Sequence, residues 1–588
     1  MILQALTSLY EALAQKGEIS KEGWSREKIS FALGIDENGD LLRITPLFET
    51  VDGPKGKTRE VPQKMTVPAA VKRTSGAAAN FLWDNSSYIL GVSLKKGEND
   101  AEREKRRNKD IKCFEACREL HHSMLDGMEY PAAKAVLNFL DKWEPQKAEE
   151  NNLVAQYAKE ILSGANMVFR FNGGYVHDDP QLASVWQKAN AKQKDNIGQC
   201  LITGELDAIP NTHPTIKGVQ GAQSSGAALV SFNASAFCSY NKEQNQNAPV
   251  GKYAAFAYTT ALNHLLADRK NVHRIGDAAV VCWAENADKQ YEDFAAEVFF
   301  GDNVDKSDEQ RLSALRTSLK LLADGLPCKE MDLDPDRKFY ILGLSPNAAR
   351  LAVRFFYCDS FGKIAGNIYK HHERLEIVRP SYDKFPILPL WKLLSATVNP
   401  NAKDKTPNAA MAGAVARAVF SGGRYPASLL ECTFLRIKAE RNITRERAAI
   451  IKAYYLRNPN EKCPKEVLTV SLNENSKNIP YTLGRLFSVY EEIQQAANPG
   501  INTTIKDRYF GSAAAMPATV FPILSNLAQK HLRKLSDAQR VYLDKKVMTL
   551  KSVLGEQYPA HMSLPEQGSF DLGYYHQTQA RYTKKEDK

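Results

Sequence analysis

The hydrophobic pattern of this chain changes near residue 400, and this change restricts the folds that the chain can adopt. Before that point, short apolar runs such as AAVVCWAE (278–285) and RKFYILGLSP (337–346) alternate with helix-length segments. After it, successive segments follow the 3.6-residue period of a helix. We therefore predict an α+β protein, with a mixed N-terminal α/β region at 1–385 and a C-terminal all-α helical bundle at 386–588.

Local signals place the boundary and several elements. The Pro-rich stretch VRPSYDKFPILPLWKLL (378–394) marks the boundary, and the N-terminal region can divide again near residue 200. SSYILGVSL (86–94) and ALVSFNASAF (228–237) are predicted strands, and the charged segment at 99–125 is a predicted helix. In the C-terminal region, capping residues and early prolines predict helix starts at Thr444, Pro480 and Ser536.

Charge and cysteine content limit the kinds of partner and the cellular compartment that this chain can have. The net charge of +10, from 78 Lys and Arg against 68 Asp and Glu, permits a polyanionic partner without requiring one. The nine cysteines are scattered and lie mostly in apolar settings, which is typical of reduced thiols in the cytoplasm. The N-terminus lacks the features of a signal peptide, and no apolar run is long enough for a membrane span. We expect a soluble cytoplasmic protein.

Patterns for catalysis or metal binding are weak. Cys113, Cys117 and His121 have the spacing of one helical face, which could hold zinc, although a partly buried face gives the same letters. The other candidate is an acidic cluster near a lysine, made of Asp332, Asp334, Asp336 and Lys338. Because such a cluster is common outside enzymes, the sequence predicts no catalytic residue, no metal and no cofactor.

Three polar segments have compositions that suit nucleic acid: 72–91, 213–253 and 344–356. Asn and Gln amides carry a donor and an acceptor that match base edges, while Gly and Ser let a backbone approach phosphate. In the third segment, Arg350 and Arg354 are predicted four apart on one helix face, as a phosphate clamp. The candidate DNA-binding residues are Lys72, Arg73, Thr74, Ser75, Asn80, Asn85, Lys217, Gly218, Gln220, Gln223, Ser224, Asn233, Lys242, Gln244, Asn247, Arg350 and Arg354.

Each segment also has a simpler interpretation. NFLWDNSSYILG (80–91) can be a buried strand with a capping aspartate, and the second segment can be only a surface loop. Arg350 and Arg354 can pair with acids. The residues alone leave both interpretations open.

Together, the segments resemble the large subunit of the type I-C CRISPR Cascade complex, the Dvulg-subtype CRISPR-associated protein. The resemblance runs nearly end to end, through MILQALTSLYEAL, RTSGAAANFLWDNSSYILG, HPTIKGVQGAQSSGAALVSFNASAFCSYNKEQNQNAP, YTTALNHLL, KFYILGLSPNAARLAVRFF and RERAAIIKAYYLRN. One departure is Asn241, which stands where the family usually has Gly. Because Asn tolerates a left-handed turn, we expect that turn to survive.

The resemblance implies a non-catalytic subunit of an RNA-guided complex. The guide RNA pairs with the target strand, while this subunit tests the duplex for a short adjacent motif, TTC-like in this subtype. It would then help to open the duplex, stabilise the displaced strand and dock the helicase-nuclease. The implied partners are the guide RNA-loaded complex, the target double-stranded DNA, the Cascade backbone and RNA-processing subunits, and small subunits.

The resemblance also suggests residue roles. Lys72 and Arg73 would meet phosphate, and Asn80 or Asn85 would approach base edges. The aromatic run at 81–83 would divide between the core and a stacking face. Residues from about 467 to 588 resemble the small subunit, which is typically also made by internal translation. Candidates for a displaced-strand path in that region are Arg485, Lys506, Arg508, Arg533 and Lys534.

Two other functions stay open at this point. One is a metal-dependent nucleic-acid-processing enzyme that uses the Asp332–Asp336 acids. The other is an interaction scaffold without direct DNA contact, whose charges are only solvated faces.

Overall fold

The computed structural model describes residues 1–52, 58–71, 73, 76–95, 97–191, 196–301 and 309–582. The predicted fold class is confirmed, with mixed α and β structure followed by a helical C-terminal region. Two compact units are present. The first unit comprises residues 3–214 and 231–261, and the second comprises residues 215–230 and 262–588. The predicted boundary at 385–386 lies inside the second unit.

The first unit is built on small sheets flanked by helices. β3, β2, β7 and β6 form one sheet, in which β2 and β7 are parallel, and β8 pairs with β7. β1, β5 and β4 form an antiparallel sheet, and β9 and β10 form a hairpin. The strands are β1 (Trp24–Ile29), β2 (Phe31–Ile35), β3 (Leu41–Pro46), β4 (Phe48–Asp52), β5 (Thr58–Pro68), β6 (Trp83–Asn85), β7 (Asn166–Phe171), β8 (Gly174–Tyr175), β9 (Ile197–Gln199) and β10 (Leu206–Ala208). The helices are α1 (Ile2–Gln15), α2 (Ser86–Ile89), α3 (Asp100–Leu125), α4 (Pro131–Lys142), α5 (Asn152–Ala155), α6 (Ala158–Ile161), α7 (Pro180–Ala191) and α8 (Lys252–Ala267), the last of which continues into the second unit.

The helix α3 confirms the long charged helix predicted from the sequence. It starts with a capping box in which Asn99 and Glu102 satisfy each other's backbone N–H groups. Cys113, Cys117 and His121 are its buried face. The Nδ1–H of His121 donates to the carbonyl oxygen of Cys117 at 2.7 Å, and its Nε2 accepts from the backbone N–H of Leu82 at 2.9 Å. The neutral imidazole therefore joins α3 to the start of β6.

The prediction of a strand at 86–94 was wrong. The side chain of Asn85 accepts a hydrogen bond from the backbone N–H of Ser87, and this cap starts the short helix α2. The predicted strand at 228–237 was also wrong, because this stretch is irregular apart from a 3-10 turn at Ser235–Phe237.

The second unit combines one antiparallel sheet with a large set of helices. β11, β12, β13 and β14 lie in that order in the sheet, which confirms the strands predicted at 278–285 and 337–346. The strands are β11 (His273–Ile275), β12 (Ala278–Ala284), β13 (Lys338–Asn347) and β14 (Arg350–Ser360). The helices are α9 (Lys289–Ala295), α10 (Glu309–Ala323), α11 (Phe361–Leu375), α12 (Leu390–Ser395), α13 (Ala409–Ser421), α14 (Ala427–Glu440), α15 (Arg445–Arg457), α16 (Ile479–Ala497), α17 (Ile505–Ala515), α18 (Pro517–Leu532), α19 (Asp537–Lys551) and α20 (Leu564–Ala580).

One hydrophobic core runs through the second unit. It begins at Ile275, in strand β11 of the sheet, and continues to Tyr575 in the last helix. The predicted helix starts agree with the structure, since Thr444 caps α15 through the N–H of Arg447, Pro480 lies in the first turn of α16, and Ser536 is the N-cap position of α19. None of the helices in the described part of the chain is both long and apolar enough to cross a bilayer.

The most buried helix, α20, was not predicted. Its residues from Gln567 to Gln577 are buried on every side, so the sequence lacks an amphipathic rhythm there. A signal was nevertheless present, because Ser563 and Glu566 form a capping box around Pro565.

Two glycines let α16 and α20 approach until their backbones touch. A Cβ added at Gly484 would overlap the carbonyl oxygen of Phe570, and one added at Gly573 would overlap the carbonyl oxygen of Tyr481. Buried polar groups are matched across the same contact. The hydroxyl of Tyr481 lies 2.9 Å from Nδ1 of His576.

Gly484→Ala or Gly573→Ala should destabilise the second unit by about 3 kcal/mol or more, because neither backbone can retreat from the added methyl group. Chemical denaturation measures this loss. Gly511→Ala is the matched control, since Gly511 lies in helix α17 with nothing within 4 Å of an added Cβ. That substitution should stabilise by about 0.5–1 kcal/mol. Equal effects at the three positions would contradict the close helix contact.

The stability of the first unit should fall below pH 6.5, because burial lowers the pKa of His121 to about 4. Above pH 6.5 the imidazole is neutral in both the folded and unfolded states and contributes no pH dependence. As the pH falls from 6.5 towards 4, only the unfolded state takes up the proton. The free energy of unfolding should therefore drop by up to about 1.4 kcal/mol per pH unit for this histidine.

Denaturation of the first unit at pH 7.5, 6.0 and 5.0 measures this slope. His121→Gln should be less stable at pH 7.5 and should show a shallower pH dependence. His561→Gln, at an exposed position of the second unit, should leave the slope unchanged. An unaltered slope in His121→Gln would contradict the assignment.

Candidate nucleic-acid interface

The first polar segment is occupied with internal contacts. Lys72, Thr74 and Ser75 lie outside the described residues. The guanidinium of Arg73 pairs with Asp84, donates through Nε to the carbonyl oxygen of Ala78 at 2.7 Å and lies 4.0 Å from the ring centroid of Tyr88. Arg73 therefore has internal partners, although its side chain stays partly exposed at the surface.

Both asparagines of this segment also have structural roles, and only Asn85 stays partly exposed. Asn80 is 3% exposed, and its Oδ1 accepts from the backbone N–H of Val71 at 2.9 Å. Asn85 is the N-cap of α2. Between them, burial raises the pKa of Asp84, while hydrogen bonds from Asn80 N–H and Arg73 oppose that shift.

The aromatic run of this segment belongs to the core. Phe81, Leu82 and Trp83 are all buried, so the expected stacking face was wrong. Leu82 has a φ of +62°, and its backbone N–H donates a hydrogen bond to Nε2 of His121. The ring of Phe81 stacks on the same imidazole at a centroid distance of 5.5 Å. The described part of the first segment, from Asn80 to Ile89, is therefore largely built into the fold.

A different surface is formed by residues 216–227 of the second unit, which we call the glutamine loop. Ile216 and Ala227 exchange two backbone hydrogen bonds of 2.9 and 2.8 Å at its base. Three glycines shape the turn, Gly218, Gly221 and Gly226, with φ values of +95°, +86° and +104°. Glycine adopts these angles without steric cost, and the paired base holds the loop in this conformation.

The tip of the glutamine loop presents polar side chains to solvent. Lys217, Gln220, Gln223 and Ser224 are all exposed, while Val219 anchors the loop in the core. Arg274 Nη1 donates to Oε1 of Gln220 at 3.1 Å, which orients the amide with its NH₂ group outward. These residues were predicted from sequence, whereas Arg274 was missed. The alternating burial of β11 could have indicated Arg274, because His273 and Ile275 are buried and Arg274 between them is exposed.

The hairpin between β13 and β14 lies against the glutamine loop. The backbone N–H of Ala228 donates to the carbonyl oxygen of Ala349, and the N–H of Leu351 donates to that of Ala228, both at 2.9 Å. Arg350 begins β14 beside this contact. A Cβ at Gly221 would lie 3.2 Å from Pro346, so only glycine fits there without a shift.

The predicted helical clamp of Arg350 and Arg354 was wrong, because both residues lie on strand β14. A register shift leaves Arg354 without a pairing partner in β13, as in a β-bulge. Its guanidinium bonds to Asp277 at 2.8 Å and to the hydroxyl of Ser345 at 2.9 Å. Four-residue spacing fits one face of a helix and of a strand alike, so the spacing alone could not distinguish them.

Residues 238–247 of the first unit form a second polar loop, which we call the tyrosine loop. Asn247 organises it: its Oδ1 accepts from Ser239 N–H at 3.1 Å, and its Nδ2 donates to the carbonyl oxygens of Lys242 and Gln244, each at 3.0 Å. Asn247 is thus a structural residue in place of a base-reading one. Asn241 has a φ of +57°, which confirms the expected left-handed turn.

A buried network anchors the tyrosine loop. Nδ2 of Asn245 donates to the carbonyl oxygens of Pro210 and Val250, so its Oδ1 must accept from Nε2–H of His213 at 2.8 Å. Nδ1 of His213 then accepts from the hydroxyl of Tyr258 at 2.6 Å. Burial lowers the pKa of His213, which agrees with this neutral tautomer. Above the anchor, Asn233 and Lys242 are exposed, and Gln244 is half-buried.

A comparison with known protein families finds a match. The model of the family described as CRISPR-associated protein (Cas_Csd1) matches residues 6–582. The chain belongs to this family. It is the family of the type I-C large subunit of the Cascade complex. No curated protein matches the chain.

The C-terminal candidates of this Csd1-family chain divide into two groups. Arg485 is buried, and its guanidinium donates to Gln577 and to the carbonyl oxygens of Asn473 and Glu474. Lys506 is half-buried, donates to Asn442 Oδ1 at 3.4 Å and has a pKa lowered by burial. These two residues serve the fold, while the exposed candidates are Arg508, Arg533 and Lys534.

The acidic cluster of this Csd1-family chain is spread over a turn. Oδ1 of Asp334 accepts from the backbone N–H of Asp336 at 2.9 Å, and Lys338 pairs with Glu285 at 3.5 Å. Asp332 has a left-handed backbone with a φ of +50°. Among the described residues, no three His, Cys, Asp or Glu side chains converge in a way that could hold a metal ion.

Asn247→Ala should loosen the tyrosine loop, because one side chain makes all three of its bridging hydrogen bonds. The loss should amount to about 1–3 kcal/mol of local stability. Hydrogen exchange measures it through faster exchange of the backbone amides at 238–247. Asn233→Ala is the matched control, and its exchange should match that of the unsubstituted chain. Unchanged exchange in Asn247→Ala would show that other contacts hold the loop.

Proposed function

We propose that this chain is the large subunit of a guide RNA-loaded Cascade complex and that it recognises a short motif beside the target in double-stranded DNA. Guide pairing reads the target sequence, and the protein reads the adjacent motif and the backbone. The subunit then helps to open the duplex, stabilises the displaced strand and docks the helicase-nuclease. It performs these roles by binding and has no catalytic function of its own.

The glutamine loop is the observation that carries this proposal. Two exposed amides, Gln220 and Gln223, stand on a turn fixed by three glycines. A glutamine amide can make two hydrogen bonds to adenine in the major groove. Lys217 at the same tip and Arg274 behind it supply positive charge for phosphate. An exposed loop of this composition, paired at its base, suits recognition of a duplex groove.

The modest net charge of +10 agrees with this division of labour. A protein that bound DNA alone would need many phosphate contacts to reach high affinity. If the guide supplies most of the pairing energy, a few placed cations are sufficient. In the C-terminal region, Arg508, Arg533 and Lys534 are the exposed cations that we assign to the displaced strand.

Gln220→Ala with Gln223→Ala should relax the preference for the adjacent motif. Losing a base-reading amide should cost about 1–3 kcal/mol on the correct motif and little on scrambled motifs. The measurement is the affinity of the guide-loaded complex for duplexes that match the guide and differ only in the motif. Gln156→Ala, at an exposed glutamine of the first unit, is the matched control. An unchanged ratio between correct and scrambled motifs would contradict the assignment of the loop.

Lys217→Ala gives the contrasting signature in the same assay. Loss of one phosphate contact should weaken all duplexes about equally and should reduce the slope of log K against log salt by about 1. If Lys217→Ala instead altered motif preference alone, the roles of lysine and glutamine at this tip would be reversed.

We also propose that residues from about 467 to 588 are made as a separate small subunit. This part of the chain contains α16 to α20, including the close helix contact at Gly484 and Gly573. Mass spectrometry of the purified complex should find a second product that begins near Val467. Recovery of the full-length chain alone would contradict the proposal.

A further inference from the structure

One side chain of the tyrosine loop has no role in the fold or in motif reading as described above. Tyr240 is 94% exposed, which is more than any other large hydrophobic side chain in the described part of the chain. Its ring takes part in none of the aromatic contacts found there, and its hydroxyl in none of the hydrogen bonds. The aromatic ring therefore makes no contact among the described residues that would stabilise the fold.

The backbone at Tyr240 adopts a strained, left-handed conformation. Tyr240 and Asn241 have φ values of +52° and +57°, two left-handed residues in succession. This conformation costs roughly 1–2 kcal/mol for a residue other than glycine. Neighbouring hydrogen bonds compensate for it, since Lys242 N–H donates to the carbonyl oxygen of Ser239 at 3.0 Å and Asn247 bridges the two ends of the loop.

The anchoring network orders the backbone that carries the ring. Asn245 is buried and bonded to His213, Pro210 and Val250, which holds the base of the loop in place. Binding a partner therefore does not have to order the loop backbone first, which lowers the entropy cost of binding.

The surroundings of the ring favour a nucleobase over a protein partner. Asn241, Lys242 and Gln246 are exposed beside it, and Lys242 and Glu243 leave the tip without net charge. A protein contact centred on tyrosine needs a shell of side chains that excludes water. A single exposed ring among amides, at a tip without net charge, instead suits stacking on an unpaired base.

We propose that Tyr240 stacks on an unpaired nucleobase of the target DNA once the duplex opens. The inference rests on the proposed DNA-binding function and adds a contact to it, which acts after the glutamine loop has read the motif. Stacking is tolerant of sequence because every base has an aromatic face. The contact therefore favours opening without adding preference for any motif.

Photocrosslinking tests the contact directly. The guide-loaded complex is bound to target duplexes that carry 5-iodouracil at successive thymine positions, from the adjacent motif into the displaced strand. An adduct should map to residue 240 at one or two neighbouring positions, and only with a target that matches the guide. Tyr240→Phe should retain the adduct, and Tyr240→Ala should lose it.

The rate of duplex opening gives a second readout. Tyr240→Ala should slow opening about tenfold, as expected for loss of one stacked base, while the ratio between correct and scrambled motifs stays unchanged. Tyr240→Phe should open the duplex at the normal rate. Tyr382→Ala is the matched control, because Tyr382 is 83% exposed in the second unit. It should have no effect.

The outcomes separate this inference from the proposed function. If motif preference depends on Gln220 and Gln223 but no adduct forms at residue 240, the function stands and the stacking contact is overturned. If Tyr240→Ala weakens assembly of the complex and leaves opening unaffected, Tyr240 is a protein contact and the inference is likewise overturned. If neither loop affects binding to the target, both proposals fail.

Discussion

The close contact between α16 and α20 is the constraint on which the second unit depends. At Gly484 and Gly573 the backbones of the two helices touch, so no side chain larger than hydrogen fits at either position. This approach buries the whole central part of α20 and aligns its polar groups with partners on α16. The core that results runs unbroken back to the sheet that supports the glutamine loop.

Glycine has a second use in the glutamine loop, where Gly218, Gly221 and Gly226 adopt positive φ values and also lie close to neighbouring atoms. The tyrosine loop is held by another route, because the amide of Asn247 bonds to the backbone on both sides of Tyr240 and Asn241. Both loops thus present exposed polar or aromatic groups on an ordered backbone.

Much of this organisation could be predicted from local patterns. The buried strands β12 and β13 were evident from short apolar runs, the helix α3 from its charged helical pattern, and the start of α15 from its capping Thr444. The left-handed turn at Asn241 was expected from the family resemblance, because asparagine tolerates the conformation of the glycine usual there. The exposed polar residues of the glutamine loop were found from composition alone, since a Gly- and Gln-rich stretch has few alternatives to a surface turn.

The remaining features depend on contacts between residues far apart in the chain. The helix α20 lacks an amphipathic pattern because it is buried on all sides. The burial of Asn80 and Arg485 depends on partners that no local pattern indicates. Arg350 and Arg354 have a spacing that fits both a helix and a strand, and only the pairing of β13 with β14 decides between them.

The central claim is that this chain gives the complex its dependence on the adjacent motif. The most direct measurement compares a guide-loaded complex with and without this chain, on duplexes that match the guide and carry either the correct or a scrambled motif. The account predicts that tight binding requires both the chain and the correct motif. Equal discrimination by the complex that lacks the chain would contradict the account and would leave the chain as a scaffold.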